Sequence, residues 1–322
     1  MYNVLMFVDS GVDDSFALMY ALLHPQINLV GVVSGYGNIT KEQSVMNTAY
    51  LLKLAGREDI PIIAGVAGPL SGEISTYYPE IHGEEGLGPI RPPADLKNVK
   101  IFDVNKIIEI VNQYSGNLII VGVGRLTDLA LPFIIYGKDA LKDVTAFYLM
   151  GGAFLVPGNV TSEAEANFYA DPIAAYTVVE KAKNIFLHPL NITNKAIITP
   201  EVIDFLAENS PSPFKPLIKP AFDYYFAAYQ KLVPGIKGAP IHDVVPLIAL
   251  TNPNLVKYIP RRVRVEQFGN ARGKSSADFR PKPDAEPVDS LDNIGMEADI
   301  QKFVINFMEI FLRAAPHKKK ES

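Results

Sequence analysis

The apolar run Val4-Leu5-Met6-Phe7-Val8 is followed at once by Asp9-Ser10-Gly11-Val12-Asp13-Asp14, and then by the apolar stretch 15–23. A short apolar run with no polar face is the pattern of a strand buried on both sides, and 15–23 has the length and composition of a packed helix. The three carboxylates therefore stand in a strand-to-helix turn. In open α/β sheets such turns, at the carboxyl ends of strands, are where ligands bind. Acids crowded together repel one another unless a cation joins them, and carboxylate oxygens suit hard ions such as Ca2+ or Mg2+. Taken alone, the turn has two explanations. It is half of a metal site, or its first-turn acids cap a helix and complement its dipole.

The alternation continues along the chain. A strand over 27–33 ends in Ser34-Gly35-Tyr36-Gly37-Asn38, a helix follows over 41–54, and 61–64 is a short strand. A Gly-, Pro- and acid-rich loop over 71–93 carries Ile81-His82-Gly83-Glu84-Glu85-Gly86; long loops in compact domains are often functional. Helix 104–114, strand 118–123, a helix from Thr127 and strand 146–150 complete the first half. Polar residues over 158–171 lead to helix 172–183 and strand 184–190. Ser210-Pro211-Ser212-Pro213 separates two helical stretches, the second over 217–232. His242-Asp243 opens an apolar helix over 244–250, followed by a strand over 262–266, a loop to 288 and a final helix over 296–312. This pattern predicts an α/β fold, an open, mostly parallel, doubly wound sheet with helices on both faces. A helical cap over 200–240 is expected on the sheet edge, within one domain over 1–315, with 316–322 as a flexible basic tail.

Charge and composition exclude several classes. With net charge -5 and one basic run, His317-Lys318-Lys319-Lys320, there is no face for nucleic acid. Cysteine is absent, which removes disulfides, thiolate zinc sites and cysteine nucleophiles. No stretch approaches the ~20 apolar residues of a membrane span, and the first residues lack the pattern of a secretion signal. A soluble, cytoplasmic protein is expected, without a membrane partner.

Four further stretches set polar groups behind apolar runs: Gly37-Asn38, Val123-Gly124, the run from Asn159 to Asn167, and His242-Asp243. In a doubly wound sheet all can converge on one crevice with Asp9 to Asp14. In this order, and across nearly the whole length, these stretches resemble the nucleoside hydrolases of the inosine-uridine-preferring type. That family opens with D-x-D-P-G-x-D-D, where this chain reads Phe7-Val8-Asp9-Ser10-Gly11-Val12-Asp13-Asp14 and departs at Phe7 and Ser10. Met150-Gly151-Gly152-Ala153, Gly158-Asn159 and Ala164-Glu165-Ala166-Asn167 match its M-G-G-A, G-N and A-E-x-N elements. Val123-Gly124-Arg125-Leu126-Thr127-Asp128 resembles T-G-P-L-T-N with three substitutions, and His242-Asp243 matches an H-D pair.

The resemblance implies a Ca2+-dependent enzyme of purine and pyrimidine salvage that hydrolyses ribonucleosides to ribose and free base, assembled as a homodimer or homotetramer. It implies Asp9 as a general base that also touches the metal, Asp14 and Asp243 as carboxylate ligands, and Val123 as a ligand through its main-chain carbonyl. Asp13, Asn159, Glu165 and Asn167 would hold the ribose hydroxyls, with Asn38 beside them and Met150 lining the sugar pocket. His82 and His242 would face the leaving base, and His242 is the preferred proton donor because it abuts Asp243. The chain has no Trp and keeps His242, which points to a broader or pyrimidine-accepting member rather than a purine-restricted one.

Elementary chemistry supports that division. Cleaving an N-glycosidic bond passes through an oxocarbenium-like sugar that nearby carboxylates stabilise. A bound cation can order and acidify a water, whose proton Asp9 would take. A histidine of ordinary pKa ~6.5 can protonate a departing base near neutrality. Plainer roles compete: Asn38 and Asn159 as turn residues, Glu165 and Asn167 as a solvated loop, Asp128 as a helix cap, and His24, His188 and His317 as structural or surface residues. Among the aromatics of 222–229, one tyrosine could face the base, and the sequence does not pick which. Two other functions also compete. A nucleoside- or ribose-binding protein with little catalysis is favoured by Phe7 and Ser10, since such changes can disturb the groups that orient Asp9. A metal-dependent phosphatase with an aspartyl nucleophile ranks lower, because Gly11 stands where its second acid is needed and no G-K-[ST] turn occurs.

Overall fold

The computed structural model describes residues 1–93, 99–288 and 291–313; the expected basic tail over 316–322 lies outside them. β1 (Tyr2–Val8) leads through α1 (Val12–Leu23), β2 (Ile27–Ser34) and α2 (Lys41–Leu54) to β3 (Ile62–Ala64). A long connection carrying the one-turn α3 (Pro79–His82) reaches β4 (Ile101–Phe102), α4 (Asn105–Gln113), β5 (Ile119–Gly122), α5 (Thr127–Ile135) and β6 (Ala146–Met150). Then come α6 (Ala166–Ala170), α7 (Pro172–Lys181), β7 (Ile185–His188), α8 (Leu190–Thr193), β8 (Ile197–Ile198), α9 (Pro200–Asn209), α10 (Lys215–Leu232) and β9 (Ala239–Pro240). The chain finishes with α11 (Val244–Thr251), β10 (Val256–Arg261), β11 (Arg264–Val265), β12 (Ser275–Ser276), β13 (Asp292–Ala298) and α12 (Ile300–Leu312).

Nine strands form one sheet in the order β10-β13-β7-β6-β5-β1-β2-β3-β4. Neighbours are parallel except β10 and β13. From β1 the chain winds outward through β2, β3 and β4, then returns to β1's other side as β5 and winds the opposite way. The order therefore reverses between β1 and β5. At such a point neighbouring connections leave for opposite faces and open a crevice beyond the strand ends.

Strand periodicity divides the core. Val4, Met6 and Val8 of β1 join one apolar cluster, while Leu5 and Phe7 join the other, as alternation across a sheet requires. One cluster is covered by α1, α2, α11 and α12, and the other by α4, α5 and α7. Every residue of α1 is buried, because α10, α11 and α12 form a further layer over it. That explains why its sequence from Phe16 to Leu23 is apolar all round.

The second half differs from the pattern-based reading. The edge strand β10 contains Pro260, which weakens a strand signal but suits an edge, and β13 is polar and partly exposed. Met296 belongs to β13, since Asp299 caps α12 by accepting the Lys302 N–H at 3.1 Å. The strand expected at 262–266 shrinks to β11, paired with β12 in a separate ribbon. The helices α9 and α10 pack on α12, α1 and α3 rather than on an edge strand.

His188 closes β7 as a buried structural residue, its Nε2 2.7 Å from the Tyr258 hydroxyl and its Nδ1 3.2 Å from the Leu149 carbonyl. Burial pushes its pKa down to about 3. The unfolded chain takes up this proton near the ordinary ~6.5, so stability is complete above that value and falls as pH drops toward the folded pKa. Urea midpoints are expected to fall more steeply between pH 7 and pH 4 in the native chain than in His188→Gln; equal slopes would contradict this.

Candidate active site

Beyond β1 the backbone turns through Ser10, which holds φ 30°. Proline's ring fixes φ near −65°, so this turn has a shape that the signature's proline could not adopt. Ser10 Oγ lies 3.0 Å from Thr48 Oγ1, and its carbonyl accepts from Asn47 Nδ2 at 3.0 Å. Asp14 folds back over the start of α1. Its Oδ1 accepts the Asp9 N–H and its Oδ2 the Gly11 N–H, both at 3.0 Å; the second satisfies a donor that the helix start leaves unpaired, and the first ties Asp14 to the end of β1. The capping explanation is thus correct for Asp14, and it coexists with a second arrangement.

Asp13, Asp14 and Asp243, the last at the N-cap of α11, each bring a carboxylate oxygen within 4.8 Å of the others. All three are buried. Asp13 Oδ1 has no hydrogen-bond partner among the described residues, and its nearest basic neighbour is His82 Nδ1 at 3.8 Å. Burial, then the charge of Asp14, pushes Asp13 up to about 7. Burial, then Asp13 and Asp14, holds Asp243 well above the usual carboxylate range. An orphaned carboxylate oxygen within a buried acid cluster fits a hard, oxygen-seeking cation, which would relieve the crowding.

Asp9 stands outside this cluster but is tied to it through Asn38, whose Nδ2 also donates to Asp14 Oδ2 at 2.9 Å. Asp9 Oδ2 accepts the Asn38 N–H at 3.0 Å and lies 3.1 Å from Arg125 Nη1, while its Oδ1 accepts from Asn38 Nδ2 at 3.1 Å. Two glycines close on it. A Cβ at Gly37 would fall 1.7 Å from Asp9 Oδ2, and one at Gly124 would fall 2.9 Å from the Asp9 nitrogen. Burial and then Asp14 raise the Asp9 pKa well above the ordinary value, and Arg125 opposes them.

In front of Asp9 and Asp14 lies a cavity lined by all the other sequence-predicted site residues: Asp13, Asn38, His82, Val123, Met150, Asn159, Glu165, Asn167, His242 and Asp243. Within the loop from Asn159 to Asn167, Glu165 and Asn167 are buried rather than solvated, whereas Asn159, Ser162 and Glu163 are exposed. Glu165 caps α6 by accepting the Asn167 and Phe168 N–H groups at 2.8 and 3.1 Å, and it accepts the Gly152 N–H at 2.9 Å. Burial raises its pKa despite those bonds. Asn159 Oδ1 accepts the Ala166 N–H at 2.9 Å. Asn167 Nδ2 donates to the carbonyls of Val123 and Met150 at 2.8 and 3.2 Å.

Histidines and tyrosines form another wall. His82 Nδ1 accepts the Val12 N–H at 3.1 Å, so the neutral ring carries its proton on Nε2. Burial, assisted by Arg125 and His242, lowers its pKa to about 3. His242 Nε2 is 2.9 Å from the Tyr229 hydroxyl and its Nδ1 2.9 Å from Thr193 Oγ1; burial lowers it to about 4. Tyr225 donates to Tyr229 at 3.4 Å.

The sequence reading passed over Arg125 and Tyr78 and left open which tyrosine of 222–229 faces the site; Arg125, Tyr78, Tyr225 and Tyr229 all line the cavity. Arg125 carried a usable signal, a cation directly behind the apolar run of β5. Tyr225 and Tyr229 carried none that singled them out, because their facing depends on how α10 docks, and Tyr78 lay within the long loop before α3. Asp128 is not a cap: its carboxylate accepts the Val66 N–H at 2.8 Å, against Gly35 and Gly65, and burial pushes it up to about 7.

Residues 4–304 match the sequence model of the inosine-uridine preferring nucleoside hydrolases. Uridine nucleosidase 1 of Arabidopsis thaliana is 32% identical over 277 residues, covering 86% of this chain and 82% of that one. The inosine-uridine preferring nucleoside hydrolase of Crithidia fasciculata is 30% identical over 309 residues, 94% of each chain. Among solved structures, the purine-preferring ribonucleoside hydrolase of Gardnerella vaginalis superposes with a TM-score of 0.88 at 26% identity, covering 96% of this chain and 98% of that one.

The glycine cradle makes a direct prediction. Gly37→Ala is expected to lower stability by about 1–3 kcal/mol in urea denaturation, because the added carbon overlaps the Asp9 carboxylate. An unchanged midpoint would show that the cradle is slack.

Proposed function

The chain belongs to the inosine-uridine preferring nucleoside hydrolase family, and from that premise we propose that it hydrolyses the N-glycosidic bond of ribonucleosides to ribose and free base, with Ca2+ as its metal. The observation that carries the mechanistic reading is the buried cluster of Asp13, Asp14 and Asp243 with its unpartnered Asp13 Oδ1. These carboxylates would hold the ion, with Asp13 in the place the resemblance gives to Asp9, because Asn38 and Arg125 already engage Asp9, and the Val123 carbonyl lines the same cavity. A carbonyl has two lone pairs, so its bond from Asn167 does not exhaust it. Bound there, the ion supplies a Lewis acid that acidifies water and a seat for vicinal sugar hydroxyls.

The remaining work falls to the chain's own groups. Asp9 Oδ1 accepts one hydrogen bond and Oδ2 two donors, which leaves Oδ1 a lone pair to take a proton from attacking water. Asp9 and Asp13 are the negative charges available to a developing oxocarbenium sugar. Asn159, Glu165 and Asn167 hold the sugar hydroxyls against Met150. At the base, His82 offers its Nε2–H as a fixed hydrogen-bond donor. His242 with Tyr229 and Tyr225 forms a hydrogen-bonded string that would relay a proton from solvent to the leaving base; with its pKa lowered to about 4, His242 passes that proton on rather than holding it beforehand as an imidazolium.

A nucleoside-binding protein without turnover is the second reading, favoured by the engagement of Asp9 with Arg125. Incubation with uridine, inosine, cytidine and adenosine, assayed for reducing sugar, separates the two. Ribose release is expected, greatest with uridine or inosine, abolished by chelation and restored by Ca2+. Asp9→Ala is expected to lower kcat by about 100-fold or more. Binding of these nucleosides without release of ribose would establish the second reading.

A further inference from the structure

Arg125 is buried, and it is held by an ion pair to Asp9 Oδ2 at 3.1 Å, a hydrogen bond from Nη1 to Asn167 Oδ1 at 2.7 Å, and the Tyr78 ring 5.8 Å from its guanidinium. Its Nε and Nη2 have no partner among the described residues. A guanidinium taken out of water with two donor atoms unpaired opposes stability, so its presence is explained by the acids around it. The acid it touches, Asp9, is the one outside the three-carboxylate cluster. Phe7 and Arg125, both departures from the signature, lie on adjoining strand ends: Phe7 is in register with Gly122, and its carbonyl accepts the Val123 N–H at 2.9 Å. Relative to that signature the neighbourhood has lost a carboxylate and gained a cation.

We propose that Arg125 is a positioning residue, a built-in counter-ion that fixes Asp9 apart from the cluster of Asp13, Asp14 and Asp243 and, by its charge, weakens divalent-ion binding at that cluster. Asp9 then keeps its place whether or not an ion is bound, and the ion is confined to the other three acids. Removing the guanidinium frees Asp9 to join the cluster and removes a repelling charge, so ion binding tightens while the base loses its orientation.

Calorimetric titration of Ca2+ into the chelator-stripped full-length protein tests this. Arg125→Gln is expected to bind Ca2+ about tenfold more tightly than the native chain. Arg125→Lys, which keeps the charge, is expected to stay within about threefold of it. Arg125→Met serves as a second uncharged variant should the glutamine form not fold. In turnover, which rests on the proposed nucleoside hydrolysis, Arg125→Gln is expected to lower kcat about 10- to 100-fold with KM changed by less than about threefold, and lysine to recover part of the loss. Unchanged or weaker Ca2+ binding in the uncharged variants would overturn the proposal, as would a raised KM at constant kcat, which would mean that Arg125 contacts substrate. A protein that releases no ribose, yet binds Ca2+ more tightly without Arg125, would refute the proposed activity and leave this assignment standing.

Discussion

The mutual repulsion of buried carboxylates governs this molecule's functional end. Asp9, Asp13, Asp14 and Asp243 are all buried around the crevice beyond the strand ends. At Asp9, Asp13 and Asp243 the ionised acid loses hydration and gains a like-charged neighbour, and both effects favour the neutral form. A fold that gathers such groups must balance them with hydrogen bonds, with cations, or with protons. Asp14 is balanced by the backbone at the start of α1, and Asp9 by Asn38 and Arg125. Asp13 and Asp243 share a side-chain hydrogen bond, and Asp13 Oδ1 is left without a partner among the described residues.

The rest of the architecture serves that gathering. Reversal of strand order between β1 and β5 opens the crevice, and the ends of β1, β2, β5 and β6 deliver Asp9, Asn38, Val123 and Met150 to it. Glycines at 37 and 124 let two backbones close on one carboxylate. The outer layer, α10 and α11 against the buried α1, brings Tyr225, Tyr229, His242 and Asp243 to the same cavity. The extra helices of 200–240 thus complete the pocket rather than decorate an edge.

Much of this was legible in the sequence, for definite reasons. The alternation of apolar strands and helices through β6 is strong because the central strands are buried on both faces, and their ends are marked by Gly, Asn and Asp. The late strands escaped because β10 and β13 lie at an edge, where polar residues and a proline are tolerated. Asp14 could not be assigned to cap or cluster from sequence, and the structure has it in both. Arg125 escaped because sequence spacing does not reveal which buried acid a long side chain reaches. The tyrosines of α10 became site residues only through the rotation of that helix against α3.

If the account is right, the acid cluster stabilises the fold only when a cation neutralises it. The most direct measurement is the melting temperature of chelator-stripped protein with and without saturating Ca2+. A ligand that binds only the folded state raises it, here by roughly 2–4 °C for an excess of about a hundred times Kd, and the rise should vanish in Asp243→Asn. A melting temperature indifferent to Ca2+ in the native chain would contradict the account at its centre.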